Sequence, residues 1–230
     1  AAQCGGLFFS TGNCIKADQQ NNIYIGGTFD GTVDFDPGAA TFNLTSAGAF
    51  DIFLAKYDTN GNLIYARRMG GTSNEQGKSL AVDAAGNVYL TGRFVGTADF
   101  DPGAGTANLF SVSGSTDIFI AKYDAGGNYV FAKRIAGTLT EAGDGLAIDA
   151  ANNIYITGTY QGTVDFDPGA GTANLTSAGS GDIFVAKYDA NGNYVFAKSM
   201  GGTSNDICFK MVLDASANIY ITGYYAGTAD

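Results

Sequence analysis

Asp149-Ala150-Ala151-Asn152-Asn153-Ile154-Tyr155-Ile156-Thr157-Gly158 decides the fold, because the phrase recurs along the chain. Its centre, Asn153-Ile154-Tyr155-Ile156, returns as Asn22-Ile23-Tyr24-Ile25, Asn87-Val88-Tyr89-Leu90 and Asn218-Ile219-Tyr220-Ile221, with the tyrosines 65, 66 and 65 residues apart. Asp18, Asp83, Asp149 and Asp214 keep the same step. So do Cys4, Met69, Ile135 and Met200, each followed by Gly-Gly or Ala-Gly. Three markers in one phase define a tandem repeat. The units run approximately 5–69, 70–135 and 136–200, with a partial unit at 201–230. The extra residue of the middle unit falls between Asp101 and Asp117.

Within the third unit the phrase expands into strands. Gly145-Leu146-Ala147-Ile148 is short and apolar, and Ala150-Ala151-Asn152-Asn153 turns. Ile154 to Gly158 is β-branched and aromatic, which favours a strand. A polar, Gly-rich crossing follows from Thr159 to Gly181. Asp182 to Tyr188 and Tyr194 to Lys198 make a second hairpin around Asp189-Ala190-Asn191-Gly192-Asn193, where Asn-Gly supplies the positive φ of a tight turn. Each unit is therefore expected to hold two hairpins, or four strands. Seven such turns start at Asp18, Asp58, Asp83, Asp124, Asp149, Asp189 and Asp214. Helical periodicity is absent.

Strands such as Ile183-Phe184-Val185-Ala186 are apolar on both faces, so their sheets are expected to be covered on both sides. The fold class is all-β. A β-propeller of four-stranded blades, about three and a half present, explains both the covering and the period. A β-sandwich or another repeat β architecture is the alternative.

Composition agrees. Hydrophobic residues make up 45% of the 230, enough for a packed core. Of the 22 acidic residues only Glu75 and Glu141 are glutamate, leaving 20 Asp, a residue of turns rather than helices. The net charge of −10 disfavours nucleic acid as a partner. No apolar run approaches the roughly 18–20 residues of a membrane span, and Ala1-Ala2-Gln3 does not read as a signal peptide. The terminal Ala229-Asp230 matches the start of an Asp-Phe-Asp-Pro motif, so the chain reads as part of a longer array. Cys4 and Cys14 are close enough in sequence to pair, or all three cysteines, Cys208 included, are small buried hydrophobes.

The chain has no histidine, which excludes Ser-His and Cys-His nucleophilic pairs and makes zinc a poor candidate. No phosphate-cradling loop opens a helix. An enzyme is not expected. The best candidate site is Asp-Phe-Asp-Pro-Gly at 34–38, 99–103 and 165–169. Alternate residues of an extended segment share a face, so Asp34 pairs with Asp36, Asp99 with Asp101 and Asp165 with Asp167. Two carboxylates beside a Pro-Gly turn suit Ca²⁺. The competing reading is a structural turn capped by Asp. Lys56, Lys122 and Lys187 read as snorkelling stems paired to a nearby Asp. The recurrent tyrosines read as core, with a sugar-binding groove as the alternative.

The run Asp83-x-x-Gly86-Asn87-Val88-Tyr89-Leu90-Thr91-Gly92, then Asp117-Ile118-Phe119-Ile120-Ala121-Lys122-Tyr123-Asp124, then Gly127-Asn128, resembles the bacterial β-propeller repeat known as the SBBP repeat. Gly162-Thr163-Val164-Asp165-Phe166-Asp167-Pro168-Gly169 resembles the version found in large secreted or surface proteins of Bacteroidetes-type bacteria. The resemblance implies a propeller fold and an extracellular or cell-surface setting, and it brings no catalytic residues. The expected role is a scaffold, adhesion or interaction module for a protein or glycan ligand. Self-association or further repeats would complete the ring. A lectin-like sugar binder, or part of a secreted enzyme, is the alternative.

Overall fold

In the computed structural model, residues 9–112 and 114–228 are described. Every element is a strand. The first unit runs β1 (Ser10–Ala17), β2 (Ile23–Phe29), β3 (Thr32–Asp34), β4 (Asn43–Thr45), β5 (Asp51–Tyr57) and β6 (Leu63–Gly71). The second runs β7 (Gln76–Val82), β8 (Val88–Val95), β9 (Thr97–Asp99), β10 (Asn108–Phe110), β11 (Thr116–Tyr123) and β12 (Tyr129–Gly137). The third runs β13 (Ala142–Ile148), β14 (Ile154–Tyr160), β15 (Thr163–Asp165), β16 (Asn174–Thr176), β17 (Asp182–Tyr188) and β18 (Tyr194–Met200). The fourth contributes β19 (Ile207–Leu213) and β20 (Ile219–Tyr224).

The long strands of each full unit form an antiparallel blade in the order β1-β2-β5-β6, β7-β8-β11-β12 and β13-β14-β17-β18. The first strands β1, β7, β13 and β19 are neighbours across the blades and line common cavities, so they lie nearest the axis. Blades stack face to face. One core cluster joins Tyr24, Ile52 and Met69 of the first blade to Leu90, Phe94 and Phe119 of the second. Another joins Ile118 and Ile135 of the second to Ile156, Phe166 and Phe184 of the third. The two-sided apolar strands are thus covered on both faces, as in a β-propeller.

The seven turns share one geometry. At Asp83, for example, the carboxylate Oδ1 accepts the amides of Ala85 and Asn87, and Oδ2 accepts from the Asn87 side chain. The fourth residue always has positive φ: Asn21, Gly61, Gly86, Gly127, Asn152, Gly192 and Ala217. Glycine and asparagine tolerate this conformation. Asp, the left-handed residue and Asn are therefore fixed by the turn.

The crossing between second and third strands is not strandless, as the sequence reading had it. It contains a short hairpin (β3-β4, β9-β10 or β15-β16), too brief for periodicity to show. In the second and third units this hairpin pairs with the last strand of the preceding blade, through Gly70↔Asp99 and Gly71↔Ala98, and through Ala136↔Asp165 and Gly137↔Val164. The phenylalanine of Asp-Phe-Asp-Pro anchors it. Phe100 packs against Phe94 and Phe119 with ring centroids 5.7 and 4.8 Å away, and its carbonyl accepts from the Tyr123 hydroxyl at 3.1 Å. Phe166 sits likewise among Tyr160, Phe184 and Tyr188.

Candidate functional site

The predicted metal residues fall in three separate places, one per hairpin. Asp34 Oδ1 accepts the amides of Asp36 and Phe42, and Asp36 Oδ1 accepts that of Gly38. Asp99 with Asp101, and Asp165 with Asp167, repeat this arrangement. One oxygen of each carboxylate is thus used by the turn itself. Asp165 and Asp167 also share a groove of about 450 Å³ with Lys133 and Arg134, an environment that opposes a cation. No group of three or more His, Cys, Asp or Glu is placed to hold a metal ion among the described residues.

The recurrent lysines and tyrosines are structural. Lys56, Lys122 and Lys187 each stand 4.8 Å over the ring of Tyr24, Tyr89 or Tyr155, a cation–π contact. Lys56 and Lys187 also face Asp18 and Asp149 at 4.0 and 3.6 Å. Cys4 lies outside the described residues, so its pairing with Cys14 does too. Cys208 is buried, and its thiol meets the Thr157 hydroxyl at 3.2 Å.

Two clusters escaped the sequence reading. The first is a buried acid pair at each blade junction: Asp51 with Glu75, Asp117 with Glu141, and Asp182 with Asp206, all at most 2% exposed. Arg68 donates to Asp51 at 2.7 Å, and Arg134 lies 3.9 Å from Asp117. The third junction has Ser199 at the corresponding position, and among the described residues no lysine or arginine makes an ion pair with Asp182 or Asp206. Burial, with the nearby Asp51 charge, pushes Glu75 up to about 7 against the opposing Gly71 amide. Burial and Asp117 push Glu141 up to about 8.

The second cluster lies on the axis. The inner strands carry bulges that set aside Asn13, Lys78, Asp144 and Phe209, between the paired residues Gly12/Cys14, Gly77/Ser79, Gly143/Gly145 and Cys208/Lys210. These four occupy one position of the repeat, yet they are chemically unrelated. All four, with Lys210, line an axial cavity of about 380 Å³. The second-strand position above them also varies, as Thr28, Arg93, Thr159 and Tyr224. Arg93 bonds Gln76 at 3.1 Å, and Tyr224 packs on Phe209 with ring centroids 6.0 Å apart. Burial pushes the Lys78 ammonium down, and it pushes Asp144 up against the pull of Lys78, Arg93 and Lys210. A comparison of the four units, position by position, finds this cluster in the sequence. Hunting for one deviant unit does not, because every unit supplies a different residue.

No family model matches the chain. It is similar to the WD repeat-containing protein L264 of Acanthamoeba polyphaga mimivirus, 26% identical over 265 residues that take in 98% of this chain. It is also similar to the regulatory protein FlaEY of Caulobacter vibrioides, 30% identical over 173 residues and 74% of this chain. The chain spans only 18% of the length of either relative. A WD repeat-containing relative and face-to-face four-stranded blades agree on one architecture: the chain is a β-propeller-like repeat protein.

Proposed function

We propose that the chain is a non-catalytic interaction module, in which the repeated residues build the scaffold and the unrepeated residues at the axis meet the ligand. One observation carries this reading. Blade strands such as Asp51-Ile52-Phe53 and Asp182-Ile183-Phe184 hardly vary between units, whereas Asn13, Lys78, Asp144 and Phe209 share a cavity and nothing else. Packing demands sameness from unit to unit, and recognition does not. A cleft with a few convergent polar groups is the default binding site of a fold. The test is a ligand screen with the native chain and a Lys78→Ala/Asp144→Ala variant. Binding lost in the variant supports the reading. Binding unchanged, or hydrolytic turnover by the pure chain, overturns it.

The finer reading is a secreted or surface module of a bacterium, of SBBP type, acting in adhesion. The Asp-Phe-Asp-Pro-Gly motifs and the acidic composition support it, and fractionation of the native host tests it. Further repeats of the same kind, in the same or another chain, would cover the first blade. Phe29, Val33, Phe35 and Phe53 form an apolar cluster there. Val33, Phe35 and Phe53 also line a cavity of about 310 Å³. Sedimentation of the chain with and without an appended repeat reads this out.

Calcium at the hairpin tips is a separate proposal, resting on the two carboxylates of each tip. A ligand of the native state must raise its stability, so melting with calcium and with chelator decides it.

A further inference from the structure

We infer that the axial cavity binds a carboxylate-bearing sugar, a hexuronate unit, with Lys78 and Lys210 holding the carboxylate and Asp144 and Asn13 holding hydroxyls. The inference rests on the reading of the axis as the ligand site and names what that site takes.

Charge comes first. Lys78 and Lys210 against Asp144 leave the cavity lining at +1, with Arg93 near enough to act on Asp144, in a chain whose net charge is −10. Lys56, Lys187, Arg68 and Arg134, by contrast, each face an aspartate. Among the described residues, the side chains of Lys78, Lys210 and Asp144 make no ion pair within 4.0 Å, although they line one cavity. Lys78 and Asp144 are half-buried and Lys210 is exposed, and half-buried charges without a direct partner are costly. A ligand carboxylate would partner both ammonium groups and relieve that cost at Lys78.

Shape and polarity come second. An ionised Asp144 is an acceptor only, suited to hydroxyl donors. The Asn13 amide nitrogen is already committed to the Gly77 carbonyl at 2.8 Å, which leaves its oxygen to accept as well. Phe209, 53% exposed, and Tyr224, 46% exposed, offer adjacent ring faces beside the polar groups. A pyranose presents hydroxyls at its edge and C–H groups on its face, and an amphipathic aromatic surface fits the latter. The cavity of about 380 Å³ matches a small ligand rather than a folded partner.

Calorimetry with a galacturonic acid trimer and a galactose trimer, at low salt, tests the inference. The expected result is binding of the acidic trimer at least about tenfold tighter than the neutral one. Adding salt should narrow the gap. Lys78→Gln with Lys210→Gln should remove the preference, with an unaltered far-UV dichroism spectrum showing that the variant folds. Equal binding of both trimers, or binding of neither, overturns the inference. If neither trimer binds but the same substitutions abolish binding of a protein ligand, the axial reading stands and the sugar falls. If they abolish nothing, both fall.

Discussion

The carboxyls of Asp51 and Glu75, from adjacent blades, close on the same residue: a Cβ built on Gly70 would lie 2.8 Å from an oxygen of each. Two acids this buried do not both ionise at low cost, which favours the protonated form of one of them. Asp51 Oδ1 and Glu75 Oε1 have no hydrogen-bond partner among the described residues.

The first prediction concerns pH. Glu75 and Glu141 have native values raised to about 7 and about 8 from an ordinary 4.5. The native state therefore holds more protons than the unfolded chain between these values, and stability falls as pH rises through that window. Asp18, Asp58, Asp124, Asp149, Asp189 and Asp214 are shifted the other way by turn hydrogen bonds, Asp18 and Asp149 despite burial. Their contribution is present above the unfolded carboxylate range and is lost in stronger acid. Thermal melts should peak near pH 5 and decline toward pH 8.5. Glu75→Gln with Glu141→Gln should flatten the alkaline limb alone, and an unflattened limb refutes the assignment.

The second concerns Arg68. Its guanidinium bonds Asp51 at 2.7 Å, with the arginine side chain 37% exposed and the aspartate fully buried. Arg68→Gln should cost about 1–2 kcal/mol, discounted for solvent at the arginine end. In a double-mutant cycle, Glu75→Gln should recover part of that loss, because it removes the second acid. Additive losses in urea titrations would separate the two residues.

The third concerns the turns. Ala217 occupies the left-handed position at φ 61°, where the other six turns have Gly or Asn. Ala217→Gly should stabilise by up to about 1 kcal/mol. Asp83→Ala removes the acceptor for the Ala85 and Asn87 amides and should cost about 1–2 kcal/mol. Equilibrium denaturation measures both.

The fourth concerns the hairpin that crosses to the blade before it. A Cβ on Gly71 would run into the Thr97 carbonyl. Gly71→Ala should cost about 1–3 kcal/mol, and proteolysis should then begin within 97–110. Cleavage elsewhere would show that the hairpin holds without its neighbour.

How much of this was legible beforehand follows from what repeats. Turn residues and apolar strands recur, so the period, the four long strands and the all-β class could be read from Asp83-Ala84-Ala85-Gly86-Asn87 and its copies. The three-residue strands β9 and β15 could not, because three residues carry no measurable alternation and one of their two partners is a strand of another unit. Asp34 and its counterparts were legible as a pair of acids, but sequence does not say which backbone amides take their oxygens. Glu75 and Glu141 stood out singly. Their pairing with Asp51 and Asp117 depends on how blades stack. The axial residues were hidden for the opposite reason: a search for sameness passes over the positions where Asn13, Lys78, Asp144 and Phe209 differ.

The pairing of β9 with β6, and of β15 with β12, gives the array a direction. The second and third units each reach back and roof the edge of the unit before, as overlapping tiles do. Peeling away a later unit strips the roof from an earlier one, whereas loss of an earlier unit removes only something to lean on. Unravelling should therefore run more readily from the far end of the chain toward its start than the reverse. Force applied to the two ends would not find them equivalent.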